Sequence, residues 1–271
     1  MDGLFCITAM LRILLILLCC SVYCEDTREY CQDRVEKCEC DVTGNIPPTK
    51  NSFPYVVSLQ WKTGESNDHL CSGTLITAQK VLTAGRCAIK SDEGMYWAVA
   101  GECDLTVVEG TEQRRRVVEQ IVHQKYYTVH GVHHNDVAVF LLYSPFLLTE
   151  YVQTVSVARE PLPGKEMLTV AGWGSVRDDP APHLPVLHYV NRNTQAADYC
   201  SDVIGEPIDN LTVCTLSVLE GPCLGDSGSG AVHNGVVYGV VSWIYLKCNP
   251  HGGYSMVMSV YGYRDFITNF S

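Results

Sequence analysis

Short runs of β-branched and aromatic residues alternate with turn-forming residues along most of the chain. From Phe53 onward these runs include YVVSLQW (55–61), YWAVAGE (96–102), VAVFLL (137–142) and GAVHNGVVYGVVSW (230–243). Runs of this length, bounded by Gly, Asn, Asp and Pro, predict β-strands. Within the last of them, HNGV (His233–Val236) places Asn-Gly between two apolar runs, which predicts a two-residue hairpin turn.

A helical pattern is found only near the C-terminus. In VYGYRDFITNF (260–270), Tyr261, Phe266, Ile267 and Phe270 can share one face of a helix. Many short strands followed by one terminal helix favour an all-β fold made of barrels or of a sandwich. A chain of 271 residues fits one large all-β unit or two small domains.

The N-terminal part has a different character from the rest. ILLILLCCSVYC (13–24) is apolar but too short for an ordinary membrane span, and a polar stretch follows it. We therefore expect residues 1–24 to be a signal peptide cut near Cys24, with an uncleaved anchor as the alternative. Residues 25–41 form an acidic, cysteine-containing lead segment that has no apolar periodicity and cannot build a core.

Composition agrees with a secreted protein. The formal net charge of −11 argues against nucleic acid as a partner and favours a soluble acidic protein. Ten of the 14 cysteines follow the predicted cut, and an even number of cysteines in an exported chain implies disulfide bonds. Two glycosylation sequons agree with export, at Asn210 and, almost at the C-terminus, at Asn269.

Three stretches carry the chemistry: VLTAGRC (81–87), HHNDVAVFLL (133–142) and GPCLGDSGSG (221–230). They resemble the three catalytic segments of the chymotrypsin/trypsin family of serine proteases, and AGWG (171–174) and VVSW (240–243) follow the family's order. The resemblance covers residues 42–271. It implies two six-stranded antiparallel β-barrels, dividing near 150–165, with the working cleft between them. It also implies the disulfides Cys71–Cys87, Cys200–Cys214 and Cys223–Cys248.

The resemblance gives roles to the residues of the catalytic site. Ser227 takes the place of the nucleophile, Asp136 that of the buried orienting carboxylate, and the N–H groups of Gly225 and Ser227 form the oxyanion hole. The family's histidine, which is the general base, is replaced by Arg86. A guanidinium stays protonated and cannot accept a proton. Loss of the histidine in another serine protease lowers kcat by about 2 × 10⁶, roughly 8–9 kcal/mol of barrier.

Two questions follow from Arg86. We expect its guanidinium to form a structural ion pair with Asp136, since an unpaired buried carboxylate is costly, and the alternative is that Arg86 points into solvent. His133, close to Asp136 in sequence, is a candidate surrogate base, or half of a weak metal site with a neighbour such as His130. The plainer interpretation of His133 and His134 is that they are cleft-wall or surface residues.

Other family positions are altered as well. In CDVTGN (40–45), Asp41 occupies the activation-cleavage position. The resemblance therefore leads us to expect that no new amino terminus pairs with Asp226, as it does in the family. The specificity pocket has Gly221 at its floor and Ser242-Trp243-Ile244 along its wall, where isoleucine replaces the family's glycine. The family's GDSGGP is GDSGSG here, with Ser229 and Gly230 changed.

Four cysteines remain after the family disulfides: Cys31, Cys38, Cys40 and Cys103. They allow three pairings. Cys38 and Cys40 point to opposite sides of an extended chain, so we discount a bond between them. Cys103 then bonds to Cys38 or Cys40, Cys31 takes the other, and the lead segment is tethered to the first barrel.

These observations predict a secreted, catalytically inactive serine protease homologue that acts by binding protein partners, as cofactor, decoy or regulator of an extracellular protease pathway. Active proteases, their zymogens or inhibitors are candidate partners, and no cofactor or metal is expected. One alternative is a residual or unusual serine hydrolase with a surrogate base. The other is an extracellular carrier or structural protein of a secreted fluid.

Overall fold

The computed structural model describes residues 51–89, 91, 93–174, 184–205, 207–217, 226–245 and 253–269. The signal peptide and the lead segment predicted from the sequence lie outside the described residues. In the described part, the strands are β1 (Val56–Thr63), β2 (Ser66–Thr77), β3 (Lys80–Thr83), β4 (Met95–Ala100), β5 (Gln113–Val122), β6 (Tyr127–Val129), β7 (Val132–His134), β8 (Ala138–Leu142), β9 (Ser156–Val157), β10 (Met167–Gly172), β11 (His188–Thr194), β12 (Thr212–Ser217), β13 (Gly230–His233), β14 (Val236–Tyr245) and β15 (Gly253–Ser259). The helices are α1 (Ala197–Ile204) and α2 (Arg264–Thr268).

The strands form two closed six-stranded antiparallel barrels, as predicted. The first closes in the order β1-β2-β3-β8-β5-β4. The second closes in the order β10-β11-β12-β15-β14-β13, because β13 pairs with both β14 and β10, and β9 adds a short parallel pairing to β14. Closure leaves few backbone groups unpaired at sheet edges, which is why many short strands can make one stable unit.

Period-2 alternation fills the barrel interiors. In β4, for example, Tyr96, Ala98 and Ala100 are buried in the core, and Met95 on the other face is exposed. A smaller apolar cluster joins the barrels, and Trp173 is its largest buried side chain. The indole N–H of Trp173 donates to the carbonyl of Cys103 at 3.0 Å, so this contact fixes the end of the second barrel against a loop of the first.

The structure confirms the predicted hairpin turn but shortens the predicted terminal helix. Asn234 and Gly235 join β13 to β14, and both have positive φ, 48° and 73°, as the predicted Asn-Gly hairpin turn requires. The terminal helix is shorter than the 260–270 pattern predicted, because residues 260–263 form turns and only Arg264–Thr268 is helical. Ile267 is buried as expected, but Tyr261 is exposed.

The sequence pattern missed helix α1. It spans eight residues, and Cys200 is its one buried residue. So short a segment has no apolar stripe to recognise, and tertiary contacts rather than periodicity stabilise it. The Cys200–Cys214 disulfide, with a Cα–Cα distance of 6.4 Å, attaches it to β12.

Candidate active site

Ser227 lies just before β13, in a tight turn held by the first barrel. Its carbonyl accepts the N–H of Ser72 at 3.0 Å. Gly228 follows with φ 87°, and a Cβ there would collide with the Thr83 side chain and the Ser72 carbonyl. Glycine is therefore required after Ser227 if the turn is to approach β2 and β3 this closely. The Ser227 hydroxyl forms no hydrogen bond to any side chain that the structure describes.

Asp136 precedes β8 and is fully buried. Its two oxygens have separate donors: the backbone N–H of Arg86 donates to Oδ1 at 2.6 Å, and the Ser242 hydroxyl donates to Oδ2 at 2.5 Å. Burial raises the pKa of the carboxyl group, and these two hydrogen bonds, together with the charges of His133 and Arg86, act in the opposite direction. The site thus retains a satisfied carboxylate where the family has its orienting aspartate.

Arg86 sits in a short 3₁₀ turn, Gly85–Cys87, that follows β3. Its guanidinium Nη1 donates to the carbonyl oxygen of Ser242 at 2.8 Å, which links the first barrel to the second. Ser242 lies at a register shift between Val241 and Trp243 in the β14–β15 pairing, outside the regular ladder. Such a bulge leaves a strand carbonyl for another donor.

The expected Arg86–Asp136 ion pair is wrong. The guanidinium forms no salt bridge with Asp136, although both residues lie in the described part of the chain, and only the main chain of Arg86 contacts the carboxylate. The reason is that the turn brings the N–H to Oδ1 while the Ser242 hydroxyl fills Oδ2. The alternative of a solvent-directed side chain is wrong as well, because Arg86 is half-buried and bonded across the cleft.

His133, the candidate surrogate base, is on β7 and half-buried. Its Nδ1 lies 3.1 Å from the hydroxyl of Tyr126 and 3.0 Å from that of Thr128, and its ring stacks on Tyr126. Burial is the main cause that lowers its pKa, followed by the positive charge of Arg86. A neutral imidazole is the form that a base needs, but no hydrogen bond joins His133 to Ser227.

His130 does not join His133 in a metal site. It is exposed at the turn between β6 and β7, with φ 47°. Neither residue belongs to a cluster of three or more potential metal ligands among the described residues. His134 stacks on Tyr127 with ring centroids 4.6 Å apart, the packing of a cleft-wall residue.

Asp226 is buried beside Ser227 and has partners in the second barrel. Its Oδ1 accepts the N–H of Gly174 at 2.9 Å, and its Oδ2 lies 3.9 Å from Nε2 of His188. His188 stands at the start of β11, and the sequence analysis did not single it out. Ser229, one of the family departures, is accommodated because its hydroxyl donates to the Ala171 carbonyl at 2.9 Å.

Only part of the specificity pocket is described. Trp243 is half-buried and lines a small cavity of about 80 Å³ together with His134, Ile204 and Ile208. Ile244 is half-buried on β14, paired with Ser255. The predicted pocket floor Gly221, the oxyanion donor Gly225 and the activation position Asp41 all lie outside the described residues.

One acidic cluster was missed by sequence reasoning. Glu102, Glu109 and Glu112 place carboxylate oxygens within 4.8 Å of one another in the loop between β4 and β5. Oε1 of Glu102 is buried with no hydrogen-bond partner in the described part of the chain, and burial, with the charges of Glu112 and Glu109, raises the pKa of Glu102 to about 8. Among the described residues this is the oxygen-ligand set that suits a hard cation such as Ca²⁺. The spacing ECDLTVVEGTE (102–112) is the signal that could have found it.

The disulfides and sequons have clear positions where they are described. The disulfides Cys71–Cys87 and Cys200–Cys214 are both present. Cys103 is also disulfide-bonded. Cys223 and Cys248, the third expected pair, lie outside the described residues. Asn210, before β12, and Asn269, after α2, are exposed.

The double barrel, in which Ser227 is bonded to Ser72 of the first barrel and Asp136 to Ser242 of the second, defines the class of trypsin-like serine protease domains. The chain belongs to the trypsin family: the family model described as Trypsin matches residues 42–267. The chain is 31% identical to cationic trypsin-3 of Rattus norvegicus over 83% of this chain and 87% of that protein. It is 31% identical to trypsin-2 of Salmo salar, over 84% and 94%, and 29% identical to trypsin of Sus scrofa, over 80% and 90%. Among the described residues, no helix combines the length and the apolar character that crossing a membrane requires.

Proposed function

We propose that this chain is a secreted, catalytically inactive member of the trypsin family that acts by binding, as cofactor, decoy or regulator of an extracellular protease pathway. One observation carries the proposal: the position of the family's general base is held by Arg86. Its guanidinium is engaged with the Ser242 carbonyl at 2.8 Å, on the side of the cleft that adjoins Asp136. A group that is already protonated and already bonded cannot take the proton of the Ser227 hydroxyl.

The surroundings of Ser227 support the same conclusion. Its hydroxyl has no base within hydrogen-bond reach among the described side chains. No imidazole is hydrogen-bonded to Asp136 in the described part of the chain, and its oxygens accept the Arg86 N–H and the Ser242 hydroxyl. Without a base, orientation and oxyanion stabilisation leave only a small residual rate over water.

Secretion and the nature of the partner belong to the same proposal. The apolar segment at 13–24, the even number of cysteines after it and the two exposed sequon asparagines support export. The relatives are named trypsins, which makes active proteases, their zymogens or their inhibitors the first partners to test.

The second candidate function is a residual hydrolase that uses His133. Its lowered pKa, caused first by burial, favours the neutral form that a general base needs. Its Nδ1 lies within hydrogen-bond distance of the hydroxyls of Tyr126 and Thr128, and neither ring nitrogen forms a hydrogen bond with Ser227. Replacing His133 by glutamine would abolish any residual rate if His133 were the base.

The decisive experiment treats the purified protein with an organophosphonate serine probe and with peptide and ester substrates. We expect no label and no hydrolysis above background, and stoichiometric labelling of Ser227 would refute the proposal. The control is Ser227→Ala, which fixes the background.

A gain-of-function series tests how much depends on Arg86 alone. Arg86→His should return a base beside Asp136 but little activity, since Ile244 remains in the pocket wall and Asp41 remains at the activation position. A variant that also carries Ile244→Gly and an activation site should be more active. Robust ester hydrolysis by the single variant would show that Arg86 is the one departure that matters.

A further inference from the structure

The outer face of β4 and β5 combines exposed cations with exposed apolar side chains. We define the arginine face as Lys62, Met95, Trp97, Arg114, Arg116 and Tyr143. Lys62 pairs with Met95 and Trp97 with Arg116 across antiparallel strands, and directly opposite residues point to the same side of a sheet. Arg114 and Arg116 are two apart on β5 and therefore also share that side.

Both arginines are held in place by aromatic rings. The guanidinium carbon of Arg114 lies 4.5 Å from the centre of the Trp97 ring, and that of Arg116 lies 5.8 Å from the centre of the Tyr143 ring. Arg114 also donates to the Asn67 side chain at 2.6 Å. Stacking on a ring leaves N–H groups at the edge of a guanidinium for a carboxylate, and less side-chain freedom is lost on binding.

Arg115, between Arg114 and Arg116, differs from them because all of its guanidinium nitrogens are hydrogen-bonded within the chain. Its three nitrogens donate to the carbonyls of Pro145 and Arg114 and to the side chain of Gln113. Arg116, in contrast, has no hydrogen bond from its side chain to a described residue. None of Lys62, Arg114 and Arg116 forms an ion pair within the described part of the chain.

These unpaired cations stand out because the chain as a whole is acidic. Its formal net charge is −11, with 30 acidic against 19 basic side chains, so carboxylates are plentiful. Lys62, Arg114 and Arg116 form no ion pair with these carboxylates in the described part of the chain, so their charges are available to another molecule. The net charge repels an acidic partner at long range, which makes this face the local exception where such a partner can dock.

We propose that the arginine face is a docking site for an acidic polypeptide segment of a partner protein. The apolar members favour polypeptide over a sulfated polysaccharide: Tyr143 is 73% exposed and Met95 is 42% exposed, and a polysaccharide offers neither of them an apolar side chain to cover it. A segment that alternates acidic with aromatic or aliphatic residues would satisfy both sets. This deepens the proposed binding function, on which it rests, by naming the surface and the chemistry of the partner.

The test uses the full secreted chain and a fluorescent peptide of about twelve residues in which glutamate alternates with tyrosine and leucine. Fluorescence anisotropy should show binding that weakens as NaCl is raised from about 50 to about 500 mM. The double variant Arg114→Gln/Arg116→Gln should bind at least about 10-fold more weakly, since both charge-assisted contacts are lost. The matched control is Arg159→Gln, an exposed arginine away from this face, which should bind like the wild type.

Three outcomes would overturn the proposal. Equal binding of a peptide with glutamine in place of glutamate would exclude a charge-based site, and tighter binding of a heparin oligosaccharide at the same arginines would exclude polypeptide as the natural class. Absence of peptide binding to the folded chain would also overturn the proposal, even if the reason were that the chain's own acidic residues 25–41 cover the face. A melting temperature measured for each variant shows that it is folded. The outcome is independent of the activity assays, so failure here leaves the proposed lack of catalysis standing.

Discussion

Replacing Arg86 by methionine tests how the catalytic cleft is held together. The change keeps a long apolar stem but removes the guanidinium and its bond to the Ser242 carbonyl at 2.8 Å. It leaves the backbone N–H of Arg86 on Asp136, so the buried carboxylate keeps both of its donors. The perturbation is therefore the loss of one charge-assisted hydrogen bond between the barrels, not the exposure of an uncompensated charge.

The magnitude follows from that distinction. A hydrogen bond to a charged donor, with its acceptor left in a largely buried site, costs about 1–3 kcal/mol when it is broken. Breaking a buried ion pair would cost about 3–5 kcal/mol. For a protein of this size, about 1–3 kcal/mol corresponds to a fall in melting temperature of roughly 2–12 °C. The exposed control Arg159→Met should change stability by less than about 0.5 kcal/mol.

Denaturant unfolding of both variants, with disulfides intact, measures the difference. A second change, Asp136→Asn, allows a double-mutant cycle with Arg86→Met. Arg86 and Asp136 share Ser242 as a partner, but the guanidinium does not contact the carboxylate, so the coupling energy should be about 1 kcal/mol, at the low end for one hydrogen-bond network. An unchanged stability for Arg86→Met would refute the bond to Ser242. A loss near 4 kcal/mol with strong coupling would instead restore the Arg86–Asp136 ion pair.

Two more predictions concern the loop between β4 and β5. Since the pKa of Glu102 is raised from 4.5 to about 8, the folded state binds the proton more tightly than the unfolded state, and stability should fall as pH rises from about 4.5 to 8. Glu102→Gln should flatten this slope and stabilise the protein at pH 8 by about 2 kcal/mol, roughly half of what the full pKa shift would give, because the group is only partly buried. Urea unfolding across this pH range measures the change. The control is exposed Glu93→Gln, which should keep the pH dependence of the wild type. Non-reducing peptide mapping should recover Cys103 joined to Cys38 or Cys40. A Cys38–Cys40 bond with Cys31 joined to Cys103, or free thiols at these four positions, would contradict this pairing.

The fold was predictable because its determinants are local and repeated. Period-2 alternation in runs such as 96–102, and the Asn-Gly turn at 234–235, specify strands and hairpins without knowledge of the partners. The order of motifs then supplied the number of barrels, which alternation alone does not. Helix α1 was missed because its position depends on Cys200 and on contacts with β12, which are distant in sequence.

The catalytic site was predictable in identity but not in bonding. Sequence placed Ser227, Asp136 and Arg86 together, and opposite charges suggested that the last two would pair. What sequence cannot give is the register of β14 against β15. The shift between Val241 and Trp243 leaves Ser242 outside the ladder, where its hydroxyl binds Asp136 and its carbonyl binds Arg86. Ser242 thus bonds to both residues, and the two oxygens of Asp136 have hydrogen-bond donors without the Arg86 guanidinium. The Arg86 guanidinium is accommodated by a bond to the Ser242 carbonyl, which explains how an arginine can occupy this position without forming an ion pair with the aspartate beside it.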